Sequence, residues 1–211
     1  MPYAVELSLL IALASLTALF FLTLLLYPFF RRLAFKHNLI YSYYKRIYRV
    51  ALDEDFYLIN AFKNKTADEE EFHIDHILIG DKFIYCIRDR YYDGAIRAKE
   101  KDQSWVFYSK KNKKGKIIPN PLRMNALRVD RMSLMTNLDK KLFISVVLVN
   151  DDCLISPYEV TYPNNFVVSL KNFPSFIREK ESLPIEPMDP RALEVAAKDI
   201  AQLNQHGKKE D

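Results

Sequence analysis

From Leu7 to Phe30 the chain carries no charged side chain. That run limits the fold more than any other stretch. About 20 apolar residues cross the hydrocarbon of a bilayer as an α-helix, and a helix satisfies every backbone group of one segment without water. Arg31, Arg32, Lys36, Lys45, Arg46 and Arg49 follow, with no acidic residue before Asp53. Ahead of the run the only charged side chain is Glu6. An excess of Lys and Arg marks the cytoplasmic flank of a span. The sequence therefore predicts a single-pass anchor over residues 1–30 in the cell membrane, with the N-terminus outside and the main domain cytoplasmic. A cleaved signal peptide would show a basic start, a shorter apolar run and a small-residue cleavage site; the sequence has none of these features. The lipid bilayer is the first expected partner.

Residues 31–55 read as a basic-aromatic juxtamembrane helix. Ile40, Tyr41, Tyr43, Tyr44, Ile47, Tyr48 and Val50 are interleaved with Lys45, Arg46 and Arg49, at spacings of three and four that suggest an amphipathic helix. Its apolar face suits a sheet, and the cations nearest Arg31 suit anionic lipid. An α/β domain is expected over 56–182, followed over 183–211 by a Pro-rich linker, a short helix and a charged tail. The 211 residues allow one ordinary domain with such appendages. Cys86 and Cys153 lie in or just after apolar strands, without metal-ligand spacing, as buried thiols of a reducing compartment do. The chain has no Walker loop, no Rossmann glycine pattern and no nucleophile elbow. Its net charge of +4 is too mild to imply general nucleic-acid affinity.

The centre of the domain lies between Phe72 and Trp105. Two runs rich in Ile, Phe and Tyr flank Gly80-Asp81 and predict a β-hairpin. Alternation places Phe72, Ile74, His76 and Leu78 on one face of the first strand and His73, Asp75, Ile77 and Ile79 on the other. His73 and His76 then cannot share a zinc ion. Asp75 stands mid-strand among apolar neighbours, where a carboxylate needs a cation, donors or water. Strands are also expected over Phe56–Phe62, Ala95–Lys99, Gln103–Ser109 and Phe166–Leu170. Lys110, Lys111, Lys113, Lys114 and Lys116 form the densest basic patch, read as a hairpin tip able to meet phosphates. Glu69-Glu70-Glu71 reads as a solvated charge run. Asn120 and Pro121 make a helix start, and Leu122, Ala126, Val129 and Met132 give that helix an apolar face. Leu142–Val149 is apolar but for Ser145, as a strand buried on both faces would be.

The string His73-Ile74-Asp75-His76-Ile77-Leu78, the turn and apolar strand after it, Gly94, Trp105 and Asn120-Pro121 together resemble the nuclease-related domain (NERD) family. The resemblance covers roughly Tyr57 to Asn150. It implies an α/β fold with a restriction-endonuclease-like mixed sheet flanked by helices, here preceded by one transmembrane helix. It also implies a metal-dependent nuclease site in which Asp75 is the metal ligand. The family's second strand carries a Glu-x-Lys element where this chain has Arg88-Asp89-Arg90. A family Gln falls at Met124, and the family's helical Gly-Glu pair has no counterpart, since Tyr41–Leu52 contains no Glu.

These departures set the functional expectation. Metal-assisted phosphodiester cleavage needs carboxylates converging on a divalent cation, and an arginine in place of the second carboxylate repels that cation. Asp89 is one residue away, which on a regular strand turns it to the opposite face unless a bulge shifts the register. The reading adopted is a non-cleaving relative that binds DNA, RNA or a membrane-protein partner, with Arg88, Arg90 and the five lysines as nucleic-acid contacts and no cofactor. The alternative is an active Mg²⁺-dependent nuclease with Asp75 and Asp89 as catalytic residues. A third possibility is a membrane scaffold with no nucleic-acid role.

Overall fold

A computed structural model of the chain describes residues 2–37, 39–65, 70–99, 101–110, 112–155 and 164–205. The chain divides after Ser42 into two units. The first is essentially one helix, α1 (Pro2–His37). Its Ser8–Phe30 stretch is long and apolar enough to cross a membrane, with a mean hydropathy of 2.6 and none of it buried.

The second unit opens with most of α2 (Leu39–Asp53). Tyr43, Ile47, Val50 and Ala51 are its buried residues, a stripe at i, i+4, i+7 and i+8. Five strands then make a mixed sheet: β1 (Tyr57–Lys65), β2 (Glu71–Ile79), β3 (Ile84–Arg90), β7 (Phe143–Val149) and β9 (Asn165–Ser169), in the order β1-β2-β3-β7-β9. The first three are antiparallel neighbours, and β3, β7 and β9 run parallel. All seven residues of β7 are buried, as its nearly continuous apolar run, interrupted only by Ser145, requires of a central strand. A second sheet holds β4 (Gly94–Arg97), β5 (Ser104–Ser109), β6 (Asn112–Pro119) and the two-residue β8 (Leu154–Ile155), in the order β6-β5-β4-β8. Gly94 is fixed by close contact, because a side-chain carbon there would lie 2.0 Å from the Tyr108 carbonyl oxygen.

Helix α3 (Pro121–Thr136) joins the sheets. The Asn120 side chain accepts from the backbone N–H of Leu122 and Arg123, and Pro121 takes the first turn, so the expected cap forms. Val129 and Met132 pack with Ile74, Ile77, Cys86 and Phe143. Leu122 packs with Trp105, Ile96, Val147 and Val149 in a smaller core. Two helices follow, α4 (Phe173–Glu181) and α5 (Pro190–Leu203). The C-terminal helix, expected as an appendage, contributes Ala197 and Ile200 to the main core. Its end is tied to β1, where Asn64 Nδ2 donates to the Leu203 carbonyl and Lys63 N–H to Asn204 Oδ1.

Two expectations need correction. Simple alternation fails in β2, since Phe72, Ile74, Ile77 and Ile79 all join one core cluster. The phase changes at Asp75. Opposite it, Ala61 has a left-handed backbone (φ 51°) and the pair is missing from an otherwise continuous β1–β2 ladder. An irregularity of this kind re-aims the side chains beyond it. The opposite-face argument for His73 and His76 falls with it; His76 is instead engaged through both ring nitrogens, as described below. The second correction concerns the lysine run, which is not merely a hairpin tip. Lys113, Lys114 and Lys116 lie within β6, an edge strand of the second sheet. Lys on an edge guards against strand-to-strand association.

Candidate functional site: a fork between two strands

Strands β2 and β3 pair from Ile79↔Ile84 to His76↔Ile87, and there the ladder stops. Beyond it β2 stays with β1, and β3 stays with β7 as far as Arg90↔Val149. The two strands therefore part at Asp75, Arg88 and Asp89. A fork in a sheet leaves backbone and side-chain groups without ladder partners, and these residues supply them to one another.

Both oxygens of Asp75 are engaged. Arg88 Nη1 donates to Oδ1 at 2.7 Å, and the Asp89 backbone N–H donates to Oδ2 at 2.9 Å. The Asp89 carboxylate turns elsewhere, with its Oδ2 3.0 Å from His76 Nε2. The other ring nitrogen, Nδ1, lies 2.6 Å from Asn60 Oδ1. With that amide oxygen accepting, Nδ1 is the protonated ring nitrogen and Nε2 faces the Asp89 carboxylate. Burial pushes the Asp89 carboxyl above its ordinary pKa, against the pull of His76. Among the described residues Asp89 Oδ1 is buried without a hydrogen-bond partner.

The β3–β7 register is unbroken, so no bulge brings Asp89 round to join Asp75. What stands beside Asp75 is a guanidinium. Arg88 is 8% exposed, and burial lowers its pKa while Asp75 raises it. A divalent ion at Asp75 would sit beside the Arg88 guanidinium and compete with two donors already held by its oxygens. Among the described residues no group of three or more His, Cys, Asp or Glu could hold a metal ion. The donor set at the fork does not fit Mg²⁺.

The cations form a larger cluster than the sequence indicated. Arg128, on α3, is pushed down to about 10 by burial and by the fields of Arg88 and Arg90. An arginine keeps its proton at pH 7; the depression records burial first and crowding of like charge second. His73 is lowered by its partial burial and then by Arg88. The helix is pinned over β3 by Asn125, whose Nδ2 donates to the Cys86 carbonyl at 2.8 Å and to Ser145 Oγ at 2.9 Å. Arg128 lies three residues further along that helix. Asn125 had a signal in the sequence, as a polar residue on the stripe of Leu122, Val129 and Met132. Arg128 had none, because an arginine beside an apolar stripe ordinarily faces solvent.

The other expected contacts lie on the second sheet. Lys110 sits 3.9 Å from Asp93. Lys114 and Lys116 are exposed on β6. Lys111 lies outside the described residues, and Lys113 is placed by its backbone alone. Trp105 is core, 1% exposed, with its indole N–H on the Lys99 carbonyl, so it offers no stacking surface. Of the acidic run, Glu70 pairs with Arg131 and Glu71 with Lys63, as solvated charges do; residue 69 lies outside the described residues.

The model of the nuclease-related domain family matches residues 36–150. No curated protein matches the sequence. Among solved structures, a crystal structure of a protein of unknown function, AF1548, is similar at 11% identity and a TM-score of 0.30, over 77% of this chain and 79% of that one. A likeness that loose constrains neither fold nor function.

Proposed function

The chain belongs to the nuclease-related domain family, and from that membership we propose a non-cleaving, membrane-held member that binds nucleic acid through its phosphates. The observation that carries this reading is the Arg88–Asp75 pair at 2.7 Å, formed where a nuclease would need its second carboxylate. Metal-assisted hydrolysis uses the ion to polarise the phosphate and to activate water. A guanidinium about 4 Å from such an ion opposes it by roughly 4 kcal/mol per unit of charge at an effective dielectric of 20. The apolar Ser8–Phe30 helix supports tethering to a bilayer. The basic residues after it support an orientation with the domain in the cytoplasm.

The test uses the full-length chain in neutral detergent with supercoiled plasmid. With Mg²⁺ or Mn²⁺ no nicked circle is expected, while retention on DNA or RNA should fall steeply with salt. Metal-dependent nicking that disappears in Asp75→Ala would overturn the non-cleaving half and restore Asp75 and Asp89 as a catalytic pair. Absence of salt-sensitive binding to either nucleic acid would overturn the other half and leave a protein partner or a scaffold role.

A further inference from the structure

Each guanidinium presents five N–H donors. Among the described residues Arg88 engages Asp75, Arg90 donates to the carbonyl of its own neighbour Asp89, and Arg128 donates to the Met124 carbonyl one helical turn back. Two of these three contacts are local backbone bonds that hold no counter-charge. Among the described residues Arg88 Nε and Arg128 Nε are buried without a hydrogen-bond partner. Among the described residues the three cations thus have one paired carboxylate between them, Asp75, since Asp89 is turned to His76.

We propose that Arg88, Arg90 and Arg128 form a site for one phosphate group of a bound nucleic-acid strand, and that Asp75 is an internal stand-in which the phosphate displaces. The site rests on the nucleic-acid reading above and gives it an address. A phosphodiester carries one negative charge and two free oxygens, the geometry that a guanidinium fork recognises bidentately. The Asp75 side chain is 26% exposed, so it has water to turn to when the phosphate takes Arg88. Exchange of one anion for another keeps Arg88 paired throughout, which a buried cation requires. The crowding of Arg128 by Arg88 and Arg90 is the repulsion that a second anion would relieve.

The test is oligonucleotide binding by the full-length chain in phosphatidylcholine nanodiscs, measured as a function of salt. Arg90→Gln and Arg128→Gln should each weaken binding several-fold at low salt. Because the three cations serve one phosphate, the double variant Arg90→Gln/Arg128→Gln should flatten the plot of log affinity against log salt by at most about 0.7 for a single strand, the loss of that one phosphate contact, and each single variant by less. Asp75→Asn should do the reverse, tightening binding and steepening the slope, because the internal competitor is gone. If Asp75→Asn fails to fold, the two arginine variants still decide. Unchanged affinity and slope in both arginine variants, with binding lost only in Lys114→Gln/Lys116→Gln, would overturn this site and leave the nucleic-acid reading standing. Absence of salt-sensitive binding in the unaltered chain would overturn that reading itself. Arginine variants that lose affinity for added phosphatidylserine vesicles but keep it for the oligonucleotide would overturn the site as one for a strand and assign it to a lipid headgroup.

Discussion

The β2–β3 hairpin carries a carboxylate cluster at each end, and the two are built to opposite rules. At the turn, Glu181 reaches in from α4. Its Oε1 accepts from the Tyr85 hydroxyl at 2.6 Å and its Oε2 from the Lys82 backbone N–H at 2.9 Å. Lys82 Nζ and the Met188 N–H tie the following linker to the same turn, through the Leu183 and Asp81 carbonyls. Gly80 leaves room for this, since a side-chain carbon there would meet Glu181 Oε1 at 2.5 Å. At the fork, by contrast, Arg88 Nε and Asp89 Oδ1 are buried without a hydrogen-bond partner among the described residues, as is Arg128 Nε on α3. A cluster that completes its hydrogen bonds internally fixes a fold. One that leaves donors open and like charges crowded lowers stability in exchange for something that can bind.

The largest effect is expected at the turn. Glu181→Ala strands the Tyr85 hydroxyl and the Lys82 N–H together and should cost about 2–4 kcal/mol. Urea unfolding of the detergent-solubilised chain can be followed by its one tryptophan, Trp105, which is buried. A loss below about 1 kcal/mol would make the turn cluster no more structural than the fork. Arg88→Met should cost less, about 1–2 kcal/mol, because Asp75 is partly exposed and keeps the Asp89 N–H as a donor. A greater loss for Arg88→Met than for Glu181→Ala would reverse the assignment of the two ends.

Much of this hairpin is legible in the sequence. The apolar runs, the Gly80-Asp81 turn, the Asn120 cap and the buried β7 follow from periodicity and turn chemistry acting locally. The pairing of Asp75 with Arg88 follows from one unpaired carboxylate and one arginine in facing strands. The partner of Asp89 does not. His76 reaches it only because β2 changes phase at Asp75, and that change depends on the backbone of Ala61 in a neighbouring strand. The latch at the turn is equally hidden, because Glu181 is separated from Tyr85 by 96 positions. Arg128 was visible as a residue and invisible as a site, since its meaning comes from how α3 is set over β3.

Arg128→Gln carries a prediction of sign. Removing a charged member of a satisfied cluster destabilises; removing a cation from a crowded one relieves repulsion. The urea midpoint of Arg128→Gln should therefore match or exceed that of the unaltered chain, while oligonucleotide binding weakens. A clear drop in midpoint would mean that Arg128 is a structural member of the fork, as Glu181 is of the turn.

The smallest effect is in pH dependence. Burial raises the pKa of Glu181 against the pull of the Tyr85 hydroxyl and the Lys82 N–H. A carboxyl raised in the folded state binds its proton more tightly there than in the unfolded chain, whose glutamates titrate near 4.3 (about the peptide value). Its stabilising contribution is whole below that unfolded value and is lost as pH rises through the folded one. Asp89, raised by burial as well, contributes with the same sign from the other end. Glu181→Gln cannot titrate and keeps one acceptor oxygen. Its stability relative to the unaltered chain should therefore climb as pH rises from about 4 through the raised carboxyl's range, then level off. The measurement is a series of urea midpoints for both proteins across that range. A relative stability that falls with rising pH would mean that the Tyr85 and Lys82 donors outweigh burial, and that the Glu181 carboxylate is held in its charged form.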